Sequence, residues 1–103
     1  MKNLSKEEWK NGISNDNNIE ILDVRTPDEF QAGYIPGAQN IDIYKGQGFL
    51  DEINALDKSK DYYVYCRSGA RSAQACALME QQGFAGTYNL LGGITEWDGK
   101  VTN

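Results

Sequence analysis

Tyr62-Tyr63-Val64-Tyr65-Cys66-Arg67-Ser68-Gly69-Ala70-Arg71-Ser72 is the stretch whose reading decides the fold. Its first four residues are aromatic or β-branched and follow a charged turn, which reads as a strand. From Ala70 to Gln82 the chain is rich in alanine and predicts a helix. A thiol therefore stands where a strand ends and a helix begins, the place where open α/β sheets bind ligands. The first N–H groups of a helix have no helical partner and carry the positive end of its dipole. Gly69 permits backbone conformations in which successive N–H groups point at one spot. Arg67 and Arg71 flank the thiol. Each element favours negative charge on the Cys66 sulfur or on an anion beside it.

Outward from this stretch, strands and helices alternate. Downstream, Ser72, Ala75, Cys76 and Met79 share one helical face, which makes Cys76 a small core residue rather than a resolving thiol. Gly83 ends that helix, Thr87 to Leu91 forms a strand, and Gly92-Gly93 turns into a last short helix containing Trp97. Upstream, Ile19 to Val24 is a short apolar strand buried on both faces. Thr26 caps the next helix, Pro27 takes its first position, Glu29 closes a capping box and Gly33 stops it. Ile35-Pro36-Gly37 is a turn, and Ala38 to Ile43 a shorter strand. Residues 44–48 read as a flexible loop. Phe49, Ile53 and Leu56 mark a core-facing helix, and residues 57–61 a charged turn. At the start, Ser5 and Glu8 form a capping box and Leu4 and Trp9 a hydrophobic staple, predicting a short helix that closes one end of the sheet. The pattern predicts one α/β domain over residues 1–103. Its small central sheet is mostly parallel, of about five strands, with helices on both faces.

The chain has 103 residues, a size suited to one domain with its own core. Its net charge of −5 argues against nucleic acid or an anionic membrane as partner. The only arginines are Arg25, Arg67 and Arg71, so an acidic chain places two of three guanidinium groups beside one thiol. There is no histidine, which removes His-based acid–base catalysis and most zinc sites. No metal or cofactor is expected. The two cysteines lie too far apart along the predicted helix for a disulfide, and a free reactive thiol suggests a reducing compartment, the cytoplasm. The N-terminus has no apolar signal region, and no run approaches a membrane span.

The loop Cys66-Arg67-Ser68-Gly69-Ala70-Arg71 resembles the Cys-Arg-x-Gly-x-Arg active-site loop of the rhodanese family of sulfurtransferases. Two further segments are similar to family signatures. One runs from Asp23-Val24-Arg25 through Glu29-Phe30 to Gly33-Tyr34-Ile35-Pro36-Gly37-Ala38. The other comprises Gly83-Phe84, Leu91-Gly92-Gly93 and Trp97. The similarity runs from about Ile21 to Trp97. Tyr34 stands where the family usually has His. The resemblance implies a rhodanese-like fold in which Asp23 and Arg25 brace the active-site region and Arg25 pairs with Glu29.

It also implies the chemistry. A free thiol titrates near about 8.5, and a helix N-terminus with neighbouring cations lowers that value. The Cys66 thiolate would take the outer sulfur of thiosulfate or a similar donor, and the persulfide would pass it to cyanide or a thiol. Arg67, Ser68, Gly69, Ala70, Arg71 and Ser72 would bind the substrate. Two rivals stand beside this monomeric thiosulfate sulfurtransferase. One is a carrier that relays sulfur to a partner protein. The other is a cysteine phosphatase or arsenate reductase, whose signature needs Arg six positions after Cys; here that position is Ser72 and Arg71 comes one residue early.

Overall fold

The computed structural model describes residues 1–103. In chain order the elements are β1 (Lys2–Leu4), α1 (Lys6–Asn15), β2 (Ile19–Asp23), α2 (Pro27–Ala32), β3 (Ala38–Asn40), α3 (Gln47–Asn54), β4 (Asp61–Tyr65), α4 (Ala70–Gln81) and β5 (Gly86–Leu90). Single 3-10 turns occupy Ile43–Lys45 and Ile94–Glu96. The five strands form one parallel sheet in the order β1-β5-β4-β2-β3, so β4 is central. The fold is the α/β arrangement that the alternation of strands and helices predicts.

Alternation along β4 explains why both faces are covered. Tyr62 and Val64 point one way, and Tyr63 and Tyr65 the other. On the first face they meet Leu22 and Val24 of the β2 segment, Phe49 and Ile53 of α3, and Ala75, Cys76 and Met79 of α4. On the second face Trp9 of α1 is fully buried. Its indole lies edge-on to Tyr63, Tyr65 and Trp97, with ring centroids 5.7, 6.0 and 5.4 Å away, and its N–H donates to the Tyr88 carbonyl at 3.2 Å. A Trp packed this way contributes about 3–5 kcal/mol relative to Ala. α1 thus lies on a face of the sheet; it does not close an end.

Both predicted capping boxes are formed, Ser5 with Glu8 and Thr26 with Glu29. Four segments differ from expectation. β1 is an edge strand on β5 that the sequence did not mark, because it has only three residues and two of them, Lys2 and Asn3, are polar and exposed. β3 stops at Asn40: the Asp42 side chain accepts the Tyr44 N–H at 2.9 Å and winds the chain into a 3-10 turn. The expected loop at 44–48 is that turn followed directly by α3, with Gly46 at φ 59° between them. At the far end the last helix is one 3-10 turn, and Trp97 lies just past it.

Candidate active site

Cys66 leaves the C-terminal end of β4, and its neighbours are held from outside. The Cys66 carbonyl accepts the Ile94 N–H at 3.0 Å. The Arg67 carbonyl accepts the Thr95 N–H at 3.1 Å and the Thr95 hydroxyl at 2.8 Å. With these carbonyls drawn toward residues 94–95, the N–H groups that follow face the sulfur. Gly69, at φ 109°, donates its N–H to Cys66 Sγ at 3.1 Å and opens α4. Gly93 makes the bracing possible: at φ 59° it lies so close that a Cβ would strike the Arg67 carbonyl.

The sulfur lies at the floor of this cup, with Cys66 only 1% exposed. Burial pushes its thiol up. The Ser72 hydroxyl, 3.3 Å from Sγ, and the N–H groups of Ser72, Gly69 and Ser68 outweigh burial and hold it below the ordinary thiol value. Neither guanidinium group makes a hydrogen bond to the sulfur, although the Arg71 charge interacts with it. Arg67, Ser68 and Ala70 are exposed at the rim. Arg71 grips Glu29 of α2 with both N–H arms, at 2.7 and 2.9 Å, and its guanidinium lies 5.3 Å from the Tyr44 ring centre. Cys76 is a different thiol. It is fully buried in the core, and burial pushes it up to about 12.

The expected pair of Arg25 with Glu29 is not formed. Arg25 bonds Asp23, with Nη2 2.7 Å from Oδ2, and also donates to the Gly33 carbonyl at 2.7 Å. The two residues project from the same side of one strand and are buried together, while Glu29 is turned to cap α2 and to meet Arg71. Asn40 donates to the carbonyls of Asp23 and Arg25, at 3.0 and 2.9 Å, and completes that brace. Tyr34 stacks on Phe30 with ring centroids 4.1 Å apart, and its backbone pairs with Thr102.

Sequence reasoning missed what stands behind Ser72. Its hydroxyl also touches the Asn89 side-chain oxygen and the Gly69 carbonyl, the latter at 3.2 Å. Asn89 belongs to β5 and is buried, and its amide N–H₂ reaches Asn3 of β1 at 2.9 Å. Nothing local in the sequence marks it. No three His, Cys, Asp or Glu side chains converge on a metal-sized space, and no helix is long and apolar enough to cross a membrane. A cup of inward N–H groups around an activated sulfur can stabilise a small anion or a second sulfur carried on the first.

Comparison with known proteins agrees with this fold. The family described as Rhodanese-like domain matches residues 5–100. A protein of Allochromatium vinosum named "Sulfurtransferase" is 36% identical over 97 residues, covering 94% of this chain and 88% of its own length. A Bacillus subtilis protein provisionally named a sulfur carrier is 34% identical over 98 residues, 95% of this chain but 51% of its own. A crystal structure from Staphylococcus saprophyticus superposes with a TM-score of 0.84 at 34% identity, covering both chains completely.

Proposed function

The chain belongs to the Rhodanese-like domain family, and from that premise we propose that it is a sulfurtransferase working through a persulfide on Cys66. The observation that supports this best is the ring of donors on one sulfur: the Gly69 N–H at 3.1 Å and the Ser72 hydroxyl at 3.3 Å, closed by the tethered loop. Thiosulfate is the donor we propose. The Cys66 thiolate attacks its outer sulfur, a new S–S bond forms, and the old one breaks with its electron pair leaving on sulfite. The transferred sulfur carries the negative charge and takes the place in the cup that the thiolate held, facing the same N–H groups. A thiol or cyanide then attacks that outer sulfur, and the Cys66 thiolate departs. No proton acceptor is needed, because the nucleophile is already anionic.

Arg67 at the rim meets the incoming anion, and Arg71 reaches it in competition with Glu29. Ser68, Gly69, Ala70 and Ser72 contribute their backbone N–H groups. Transfer to a partner protein is a second reading, supported by the name of the Bacillus subtilis relative. The reading is tested by weighing the intact protein after incubation with thiosulfate. One added sulfur atom is expected, lost in Cys66→Ala and kept in Cys76→Ala; the opposite pattern overturns it. Faster delivery to a partner protein than to small thiols would favour the carrier.

A further inference from the structure

The Ser72 hydroxyl has one proton and three acceptors within reach: Cys66 Sγ at 3.3 Å, the Gly69 carbonyl at 3.2 Å and Asn89 Oδ1. Ser72, Cys66 and Asn89 are all buried, so no bulk water makes up a lost bond. The Gly69 carbonyl already accepts the Ala73 N–H at 3.1 Å and the Asn89 Nδ2–H at 3.3 Å, which leaves the sulfur and Asn89 Oδ1 as the real rivals. While Cys66 is a thiol there is no conflict. Its S–H donates to Ser72, and Ser72 donates to Asn89. Once Cys66 is a thiolate, Ser72 must turn its proton to the sulfur. Asn89 Oδ1 would then face the bare Ser72 oxygen.

An amide can resolve that conflict by turning over. It then presents Nδ2 to Ser72 and Oδ1 to Asn3, and the Asn3 amide, 2.9 Å away, turns to donate in return, at the cost of the Nδ2 bond to the Gly69 carbonyl at 3.3 Å. We propose that Asn89 is a positioning residue: which way round its amide sits, set by Asn3 on the edge strand together with the Gly69 carbonyl, decides whether the Ser72 proton reaches the Cys66 sulfur. The inference rests on Cys66 being the working nucleophile. The other ionisable groups around the sulfur are Arg71 of α4, held by Glu29 of α2, and the protonated Cys76 thiol.

Asn3 is exposed and lies outside the cup, so it can be changed without disturbing the core. Asn3→Asp offers only acceptors, and pins Asn89 with its oxygen toward Ser72. Asn3→Lys offers only donors, and favours the other orientation against the pull of the Gly69 carbonyl on Nδ2. The rate of Cys66 alkylation by iodoacetamide against pH reads the outcome without any sulfur transfer. At pH 7, Asn3→Asp is expected to slow alkylation about three- to tenfold and Asn3→Lys to leave it unchanged or faster. In a Ser72→Ala background both effects should vanish, because the relay is cut; a direct charge effect would survive there. Asn89→Ala should abolish them equally. Identical pH profiles for Asn3→Asp and wild type, or an effect that persists without Ser72, would overturn the proposal. A wild-type gain of one sulfur from thiosulfate, weighed in the same preparations, separates that failure from a failure of the sulfurtransferase reading.

Discussion

Arg71 and Glu29 meet as a two-pronged ion pair, guanidinium to carboxylate at 2.7 and 2.9 Å, across the 42 residues that separate them in sequence. The pair joins α2 to the first turn of α4. It therefore ties the segment after β2 to the loop that carries Cys66. It also sets the terms on which an anionic substrate obtains the Arg71 charge.

The Arg71 side chain holds the Glu29 carboxyl at about 2, well below its ordinary value, against the opposing effect of burial. An unfolded Glu titrates near about 4.3, so the pair's contribution is whole above that pH and is lost as pH falls toward the folded value. Both groups are partly exposed, which limits the contribution to about 1–2 kcal/mol. Urea unfolding should show Glu29→Gln less stable than wild type by that amount at pH 6, with the gap closing between pH 4.5 and 2. A gap independent of pH would mean the pair adds nothing to stability.

Arg71→Ala should raise the thiosulfate KM several-fold, and Arg71→Lys should restore only part of it, since an ammonium lacks the fork that engages two oxygens. Initial rates over a range of thiosulfate concentrations check this. Unchanged kinetics in Arg71→Ala would remove Arg71 from substrate binding.

The two thiols should part company with a disulfide reagent at pH 7. Cys66, held below the ordinary thiol value by Ser72 and the loop N–H groups, should react at once. Cys76, pushed up to about 12 by burial, should react only when the protein unfolds. Counting released chromophore in native and denatured protein measures both. Ser72→Ala should slow the Cys66 reaction at pH 7. Rapid labelling of two thiols in the native state would contradict the burial of Cys76.

Gly93→Ala should damage the site without touching any reacting group. The methyl would land on the Arg67 carbonyl, at a backbone conformation unfavourable to alanine. About 1–3 kcal/mol of stability and most of the sulfur transfer should go together. Calorimetry and the transfer assay on one sample test it; full activity would show that the loop does not depend on this approach.

Four residues lie between Cys66 and Arg71, and a phosphoryl group brings three equatorial oxygens that so short a cup must surround. Aryl phosphate hydrolysis should be negligible beside thiosulfate sulfur transfer. One residue inserted between Ala70 and Arg71 should sharply reduce transfer. Hydrolysis as fast as transfer in the unaltered protein would replace the present reading with a phosphatase.

What could be read from the sequence was local. The capping boxes at Ser5 and Thr26 involve residues three apart, and Cys66 to Arg71 is one continuous loop, so their chemistry shows in the string of letters. Three features are not local. The family resemblance implies Glu29 as the partner of Arg25, and nothing in the string reveals that α2 points its first turn at α4. Asn89 is a polar letter in an otherwise ordinary strand, and its meaning comes from Ser72 and Asn3 arriving from two other elements. β1 becomes a strand only because β5 offers it an edge. The glycines at 46 and 48 suggested a loop, yet only Gly46 breaks the backbone; Gly48 lies inside α3.

Cys66 follows directly from the central strand, with paired neighbours on both sides, and its carbonyl and that of Arg67 are fastened to residues 94–95. A middle strand is the part of such a domain that opens last, so its amides should exchange with solvent only through whole-molecule unfolding. Sub-global breathing of the edges at β1 or β3 releases Asn3 or Asn40 but leaves the bonds of Cys66 and Arg67 to residues 94–95 in place. On heating, then, activity should survive up to the melting transition and disappear with it, with no earlier, reversible loss from a loosened active-site loop.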